Sequence, residues 1–162
     1  MDSENFGLKY KGTITLNLYR GSKEPSNLIE SRKLENVFLN VGKSWAIQRL
    51  FDDTTAVVSG TAAHAFYVGT TTSAGSAGAG DTTAQNTEIG RMAFTYASGA
   101  IGAMSGTATF ITSTANGAIT EAGIFAGGIT SGDGVFIARV LFAAINKTSA
   151  DTLQVKWDVS IA

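Results

Sequence analysis

Residues 118–162, AITEAGIFAGGITSGDGVFIARVLFAAINKTSADTLQVKWDVSIA, contain three apolar runs separated by two turn sequences. The glycine-rich segment between the first two runs carries Asp133-Gly134, a pair typical of a hairpin turn. Residues 135–145 are apolar on both alternating faces, as in a strand that is covered on both sides. Residues 153–161 alternate between apolar and polar side chains, which is the period of a half-buried strand. The stretch therefore predicts three consecutive strands.

The alternating pattern of a strand also occurs earlier in the chain. Residues 8–18 place apolar side chains on one face and Lys, Thr and Asn on the other, and residues 28–39 follow after the turn sequence GSKEPSN, so these two runs predict a hairpin. Further strand-like runs lie at residues 63–69, 91–97 and 104–112. About eight short strands at regular spacing are typical of a sandwich or barrel. We therefore predict a mainly β fold, a two-sheet antiparallel β-sandwich or a jelly-roll-like domain.

One segment has a helical period instead of a strand period. Asn40 can cap the start of a helix at about residues 41–52, in which Trp45 and other apolar side chains recur at amphipathic spacing. This segment is the one short helix of the predicted fold. We expect its apolar stripe to pack on the core, with contact to another subunit as the alternative.

The apolar positions of these elements define an expected hydrophobic core. Trp157 shares its face of the last strand with the other apolar residues, so we expect it to be buried. The side chains assigned to the core are Leu16, Leu18, Trp45, Phe125, Leu153, Val155 and Trp157.

Two charged residues interrupt apolar strands. Glu121 and Arg139 each lie inside an apolar run, where an unpaired charge would be costly to bury. We expect these two side chains to pair with each other, with Arg91 as the alternative partner of Glu121. A structural or interfacial ion pair is the favoured interpretation over an acid–base role.

Two polar segments are expected to lie outside the packed strands. Residues 1–7 form an N-terminal arm ahead of a single domain at residues 8–162, and residues 70–88 include a long loop of small side chains. Loops of this length are uncommon in compact domains and are usually functional or ordered by a partner. The expected partner contacts in the arm and the loop are Asp2, Asn5, Phe6, Thr72, Ser73 and Asp81.

The composition argues against several classes of function. The 162 residues carry a net charge of −1, and 15% of them are charged, so there is no electrostatic basis for binding nucleic acid or an anionic membrane. The chain has no cysteine, and no apolar run approaches the roughly 20 residues that span a bilayer. The only histidine, His64, has no nucleophile motif beside it, and the acidic residues lack the spacing of a calcium loop. We therefore expect no enzymatic activity, no cofactor and no metal site.

Six motifs follow one another along the chain: LKYKGTITLNLYRG, LIESRKLENVFLNVGK, IGRMAF, ITEAGIF, ARVLF and INKTSADTLQVKWDVSI. Their order and spacing resemble those of a family of small structural proteins of tailed bacteriophages. The resemblance covers most of the chain, from Leu8 to Ile161, and the ordered trio EAGIF, ARVLF and KTSADTLQVKWDV is its most specific part.

The resemblance implies a non-enzymatic virion component that is made in the host cytoplasm. Among virion roles we favour a capsid decoration or cement protein, which binds the lattice of the major capsid protein as a homo-oligomer, with a trimer favoured. A tail or fibre-attachment component is the alternative. A carbohydrate-binding module is the third possibility, through exposed aromatic side chains such as Tyr10, Tyr19, Tyr67 and Trp157.

Overall fold

The structure, a computed structural model, describes residues 9–51, 65–70, 77–81, 87–98, 101, 103–126 and 134–161. Its strands are β1 (Tyr10–Arg20), β2 (Leu28–Glu35), β3 (Val37–Phe38), β4 (Ala65–Thr70), β5 (Thr87–Ala93), β6 (Thr95–Ser98), β7 (Ala103–Phe110), β8 (Gly117–Ala126), β9 (Val135–Lys147) and β10 (Asp151–Ile161). The helix α1 spans Asn40–Phe51, and a single 3₁₀ turn spans Pro25–Asn27. These elements confirm the predicted mainly β fold with one short helix.

The strands form two antiparallel sheets of five strands each. The first sheet has the order β2-β1-β10-β7-β6, and the second sheet has the order β3-β9-β8-β4-β5. β1 and β2 form the predicted hairpin, and β10 lies on the other side of β1, with Leu16 opposite Val155. β8 and β9 pair with each other, as the turn signal between them predicted. The β-sandwich is therefore confirmed, whereas the jelly-roll variant stays a prediction.

Among the ten described strands the chain crosses between the sheets four times, and at two of these crossings a single residue separates the two strands. Asn36 separates β2 of the first sheet from β3 of the second, and Phe94 separates β5 of the second sheet from β6 of the first. The prediction of one strand over residues 28–39 was wrong at Asn36, because the run bends there and continues in the other sheet. Since these four strands are the edge strands, the chain joins the two sheets along both edges.

The main core lies between the facing sides of the two sheets. Five of the residues assigned to the core are at most 4% exposed: Leu16, Leu18, Leu153, Val155 and Trp157. They pack against Ala122, Ile124 and Val140 of the second sheet. Each large apolar side chain buried in this way contributes about 1.5–3 kcal/mol relative to an exposed one. The side chain of Trp45 lies outside the described part of the chain.

The helix α1 covers part of the outer face of the second sheet. Gly42 lets the helix backbone approach β9, because a Cβ at this position would lie 2.5 Å from the Ile137 carbonyl oxygen. Val41 packs against four buried side chains on this face. Those side chains form a second apolar cluster, which consists of Leu39, Tyr67, Phe125 and Phe136.

Asn36 links the first crossing to the core. The Trp157 indole Nε1–H donates to Asn36 Oδ1 at 2.9 Å, so a buried polar group has a partner. The backbone N–H of Asn36 donates to the Gly12 carbonyl at 3.1 Å. A Cβ on Gly12 would lie 1.8 Å from Asn36 Oδ1, so a residue without a side chain is needed here.

Replacing Gly12 by alanine should displace the Asn36 side chain from Trp157. We expect Gly12→Ala to lower the free energy of unfolding by about 1–3 kcal/mol, through overpacking and the loss of a buried hydrogen bond. Gly80→Ala is the matched control, because a Cβ at Gly80 meets nothing within 4 Å. Equilibrium unfolding in urea measures both variants. If Gly12→Ala unfolds with the same free energy as the wild type, this role of Gly12 is contradicted.

Candidate functional site

The two charges that interrupt apolar strands lie together on the outer face of the second sheet. Glu121 on β8 is fully buried and Arg139 on β9 is 2% exposed. Arg139 Nε donates to Glu121 Oε1 at 2.6 Å. The cross-strand neighbour of Arg139 is Gly123, so no side chain on β8 separates the guanidinium from the carboxylate two residues away. The structure therefore brings together the pair that the sequence analysis expected.

Arg139 also binds a carboxylate from a neighbouring turn. Its Nη1 donates to Asp81 Oδ2 at 2.5 Å, and the same oxygen accepts from the Gly78 backbone N–H at 3.0 Å. The backbone N–H of Asn40 donates to the Ala79 carbonyl at 2.7 Å, which fastens this turn to the start of α1. Asp81 was expected to contact a partner protein. Its carboxylate holds the turn against the sheet within the chain, and the partner contact stays a prediction.

Arg91, the alternative partner of Glu121, binds Glu88 of its own strand. Arg91 Nε and Nη2 donate to the two carboxylate oxygens of Glu88 at 2.9 and 2.8 Å, which is the bidentate geometry of a strong pair. The guanidinium carbon lies 4.0 Å from the centre of the Phe125 ring, a cation–π contact. We call these residues together with Tyr67 the charged cluster: Tyr67, Asp81, Glu88, Arg91, Glu121 and Arg139.

Burial and hydrogen bonding change the pKa values within the charged cluster. Burial, followed by the negative charge of Glu121, raises the pKa of the Tyr67 phenol, so it stays protonated at neutral pH. Burial alone would lower the pKa of Arg139, but its hydrogen bonds to Glu121 and Asp81 outweigh that effect and raise the pKa. Both effects keep Tyr67 and Arg139 in one charge state near neutral pH, which suits a structural network better than proton transfer.

A second set of buried charges lies at one end of the sandwich, where the sequence analysis predicted only a turn. Lys147 is buried, with 2% of its surface exposed. Its Nζ donates to the Ile111 carbonyl and to Asn116 Oδ1. Asp151 accepts from the backbone N–H of Thr148 at 2.9 Å and binds Arg20 Nε at 2.8 Å. The alternation of β9 and β10 was the available signal, because it turns both side chains toward the core.

Five of the six expected partner contacts lie outside the described residues. Asp81 is described above, whereas the other five lie outside the described residues, as does the single histidine: Asp2, Asn5, Phe6, Thr72, Ser73 and His64. Within the residues that are described, no group of three or more acidic or histidine side chains could hold a metal ion. No helix in the same residues is long and apolar enough to cross a membrane.

The aromatic side chains considered for sugar binding form no platform. Tyr67 and Trp157 are at most 1% exposed. Tyr10 packs its ring against Phe38, with 5.4 Å between the ring centres. The carbohydrate-binding interpretation therefore loses three of its four candidate contacts. No protein-family model, no curated protein and no solved structure matches this chain.

Removing Arg139 should leave two carboxylates close together without a counter-charge. We expect Arg139→Met to lower the free energy of unfolding by about 3–5 kcal/mol, the cost of breaking a buried ion pair from one side. Lys156→Met is the matched control, because the side chains of its pair with Asp158 are 47% and 43% exposed. An exposed pair contributes about 0.2–1 kcal/mol. Equal losses for the two variants in urea unfolding would contradict a special role for Arg139.

Asp81 should make the stability of the protein sensitive to acid. Burial opposes ionisation of Asp81, but the Gly78 N–H and Arg139 hold its pKa below the ordinary 3.8. Because the folded pKa is the lower one, the stabilisation is present above the unfolded value and is lost as the pH falls through the folded value. The difference in free energy of unfolding between wild type and Asp81→Asn should therefore be largest near neutral pH and shrink below about pH 4. Urea unfolding at a series of pH values measures this difference, and a constant difference would contradict the pairing.

Proposed function

We propose that this chain is a non-enzymatic structural protein of a tailed-bacteriophage virion, and that it decorates the capsid by binding the lattice of the major capsid protein. The ordered motifs along residues 8–161 support the virion assignment through their resemblance to small virion proteins. The two sheets joined along both edges support a scaffold role, because the short chain connections at Asn36 and Phe94 limit the separation of the sheets.

The observation that carries the proposal is the outer face of the first sheet. Positive and negative side chains are mixed on this face, as in the exposed Lys156–Asp158 pair, so it has no strong field of one sign. Short polar side chains lose less rotamer freedom on binding than Lys or Arg, which favours close contact with another protein. Alternating positions of the strands supply these side chains: Thr13, Thr15, Asn17, Ser31, Thr95, Ser105, Thr107, Thr109 and Gln154.

Binding in many copies would allow a weak contact through this face to hold the protein on the capsid. A decoration protein binds a lattice in many copies, and an oligomer that engages several sites at once gains avidity without any new contact. We propose a homotrimer for this reason. The N-terminal arm with Asp2, Asn5 and Phe6, and the loop with Thr72 and Ser73, remain the proposed additional contacts with neighbouring virion proteins.

Binding to capsids tests the proposed surface. Purified protein added to heads that lack it should sediment with them, and Thr107→Lys should weaken binding about tenfold, or about 1.4 kcal/mol, because a second positive charge beside Lys156 must be desolvated. Ser26→Lys is the matched control, since it adds the same charge at an exposed residue outside the sheet and should bind like wild type. Equal binding of both variants would contradict this surface as the contact.

The position of the chain in the particle separates the head from the tail. Imaging of intact virions should find many copies spread over the capsid lattice. A few copies confined to the tail would replace the decoration role by the tail alternative. If the chain is found in neither part, the virion assignment is wrong.

A further inference from the structure

A buried lysine amine lies against an exposed asparagine side chain at one end of the sandwich. Lys147 is the last residue of β9, and Asn116 immediately precedes β8. Lys147 Nζ lies 2.8 Å from Asn116 Oδ1 and 2.9 Å from the Ile111 carbonyl oxygen. Because a carbonyl bond is about 1.23 Å long, the amine lies about 3–4 Å from Asn116 Cγ. Reacting atoms in a near-attack arrangement are roughly 3–3.5 Å apart.

We propose that Lys147 and Asn116 form an intramolecular isopeptide bond. In this step the neutral Lys147 amine attacks Asn116 Cγ with its lone pair, and a new bond forms between Nζ and Cγ. The bond between Cγ and Nδ2 then breaks. The proton lost by the lysine nitrogen passes to the departing nitrogen, which leaves as ammonia. One amide replaces another, so no oxidant, reductant or added group is required.

The surroundings of Lys147 suit an amine nucleophile. Burial lowers the pKa of the amine and outweighs the opposing charge of Asp151, so a larger share of the amine is neutral and nucleophilic. The Ile111 carbonyl holds one N–H of the amine and restricts its direction. An exposed lysine has neither feature, which distinguishes Lys147 from Lys156, whose side chain is 47% exposed.

Asp151 acts on this pair through its charge. It is 1% exposed, and its charge acts on the Lys147 amine. The Thr148 hydroxyl and backbone N–H both donate to Asp151 Oδ2, and Arg20 binds Oδ1. Burial opposes ionisation, but these Thr148 hydrogen bonds and the charges of Arg20 and Lys147 lower the pKa of the carboxyl, so it stays ionised. Its negative charge can stabilise the positive charge that develops on the lysine nitrogen during the attack.

The bond would connect two segments that are 31 residues apart in the chain. Asn116 lies in the connection from β7 of the first sheet to β8 of the second, and Lys147 ends β9 just before the chain returns to the first sheet. A covalent link at this point restricts the unfolded chain as a disulfide does. The proposal does not depend on the function of the protein.

A competing reaction at Asn116 must be distinguished from the isopeptide bond. Asn116 is followed by Gly117, and an asparagine before glycine can lose ammonia when the backbone nitrogen of the glycine attacks its Cγ and closes a succinimide ring. The two products have the same mass. Only the isopeptide bond requires Lys147, so a lysine variant separates the two reactions.

Intact-mass spectrometry of the denatured full-length chain tests the proposal. We expect wild type to be lighter than its sequence by one ammonia, and a protease digest to contain a branched peptide that joins Lys147 to Asn116. Lys147→Met should have the full mass of its sequence, whereas the control Lys156→Met should still lack one ammonia. A wild-type chain of full mass would overturn the proposal, and so would an ammonia loss that persists in Lys147→Met.

Discussion

The edge of a β-sheet has unpaired N–H and C=O groups, which a stable protein must cover, pair or protect. Within the described residues, β2, β3, β5 and β6 each pair with a neighbour on one side only, and the chain connects these edge strands across the two sheets. The bends at Asn36 and Phe94 turn each edge strand of one sheet into an edge strand of the other. The bend at Asn36 places a polar side chain beside the core, where it accepts a hydrogen bond from the Trp157 indole. The room for that side chain comes from Gly12 on the neighbouring strand.

Two arginine side chains connect separate parts of the sandwich. The register between β8 and β9 shifts after Ile119, so that β9 bulges away from its neighbour. Arg32 of β2 donates to the carbonyls of Ala143 and Ala144 in this bulge, which ties the first sheet to the second. Arg139 acts in the same way on the outer face, where it joins the sheet to the turn that covers it. The planar guanidinium suits both positions because it can donate in several fixed directions.

Hydrophobic periodicity predicted the strands well, because the side chains that face the core must alternate along each strand. The Glu121–Arg139 contact was also accessible to sequence reasoning, since two charges within apolar strands each need a partner. The crossing at Asn36 could not be predicted from the sequence. The alternation of side chains continues through the bend, so it does not indicate that the next strand belongs to the other sheet. The contact of Asp81 with Arg139 was not predicted either. Asp81 lies 58 residues from Arg139 in sequence, and only tertiary packing brings them together.

The burial of Lys147 and Asp151 follows from their positions in the alternation of β9 and β10. Each falls in phase with an inward-facing apolar neighbour, Ile145 and Leu153, and both are buried. A charged residue at such a position has either a partner or a shifted pKa, and Lys147 has both. The sandwich therefore uses charge at the positions where apolar packing is incomplete, namely the outer face of the second sheet and the open end between the sheets. The rest of the core needs no such groups, because the two sheets already close over it along both edges.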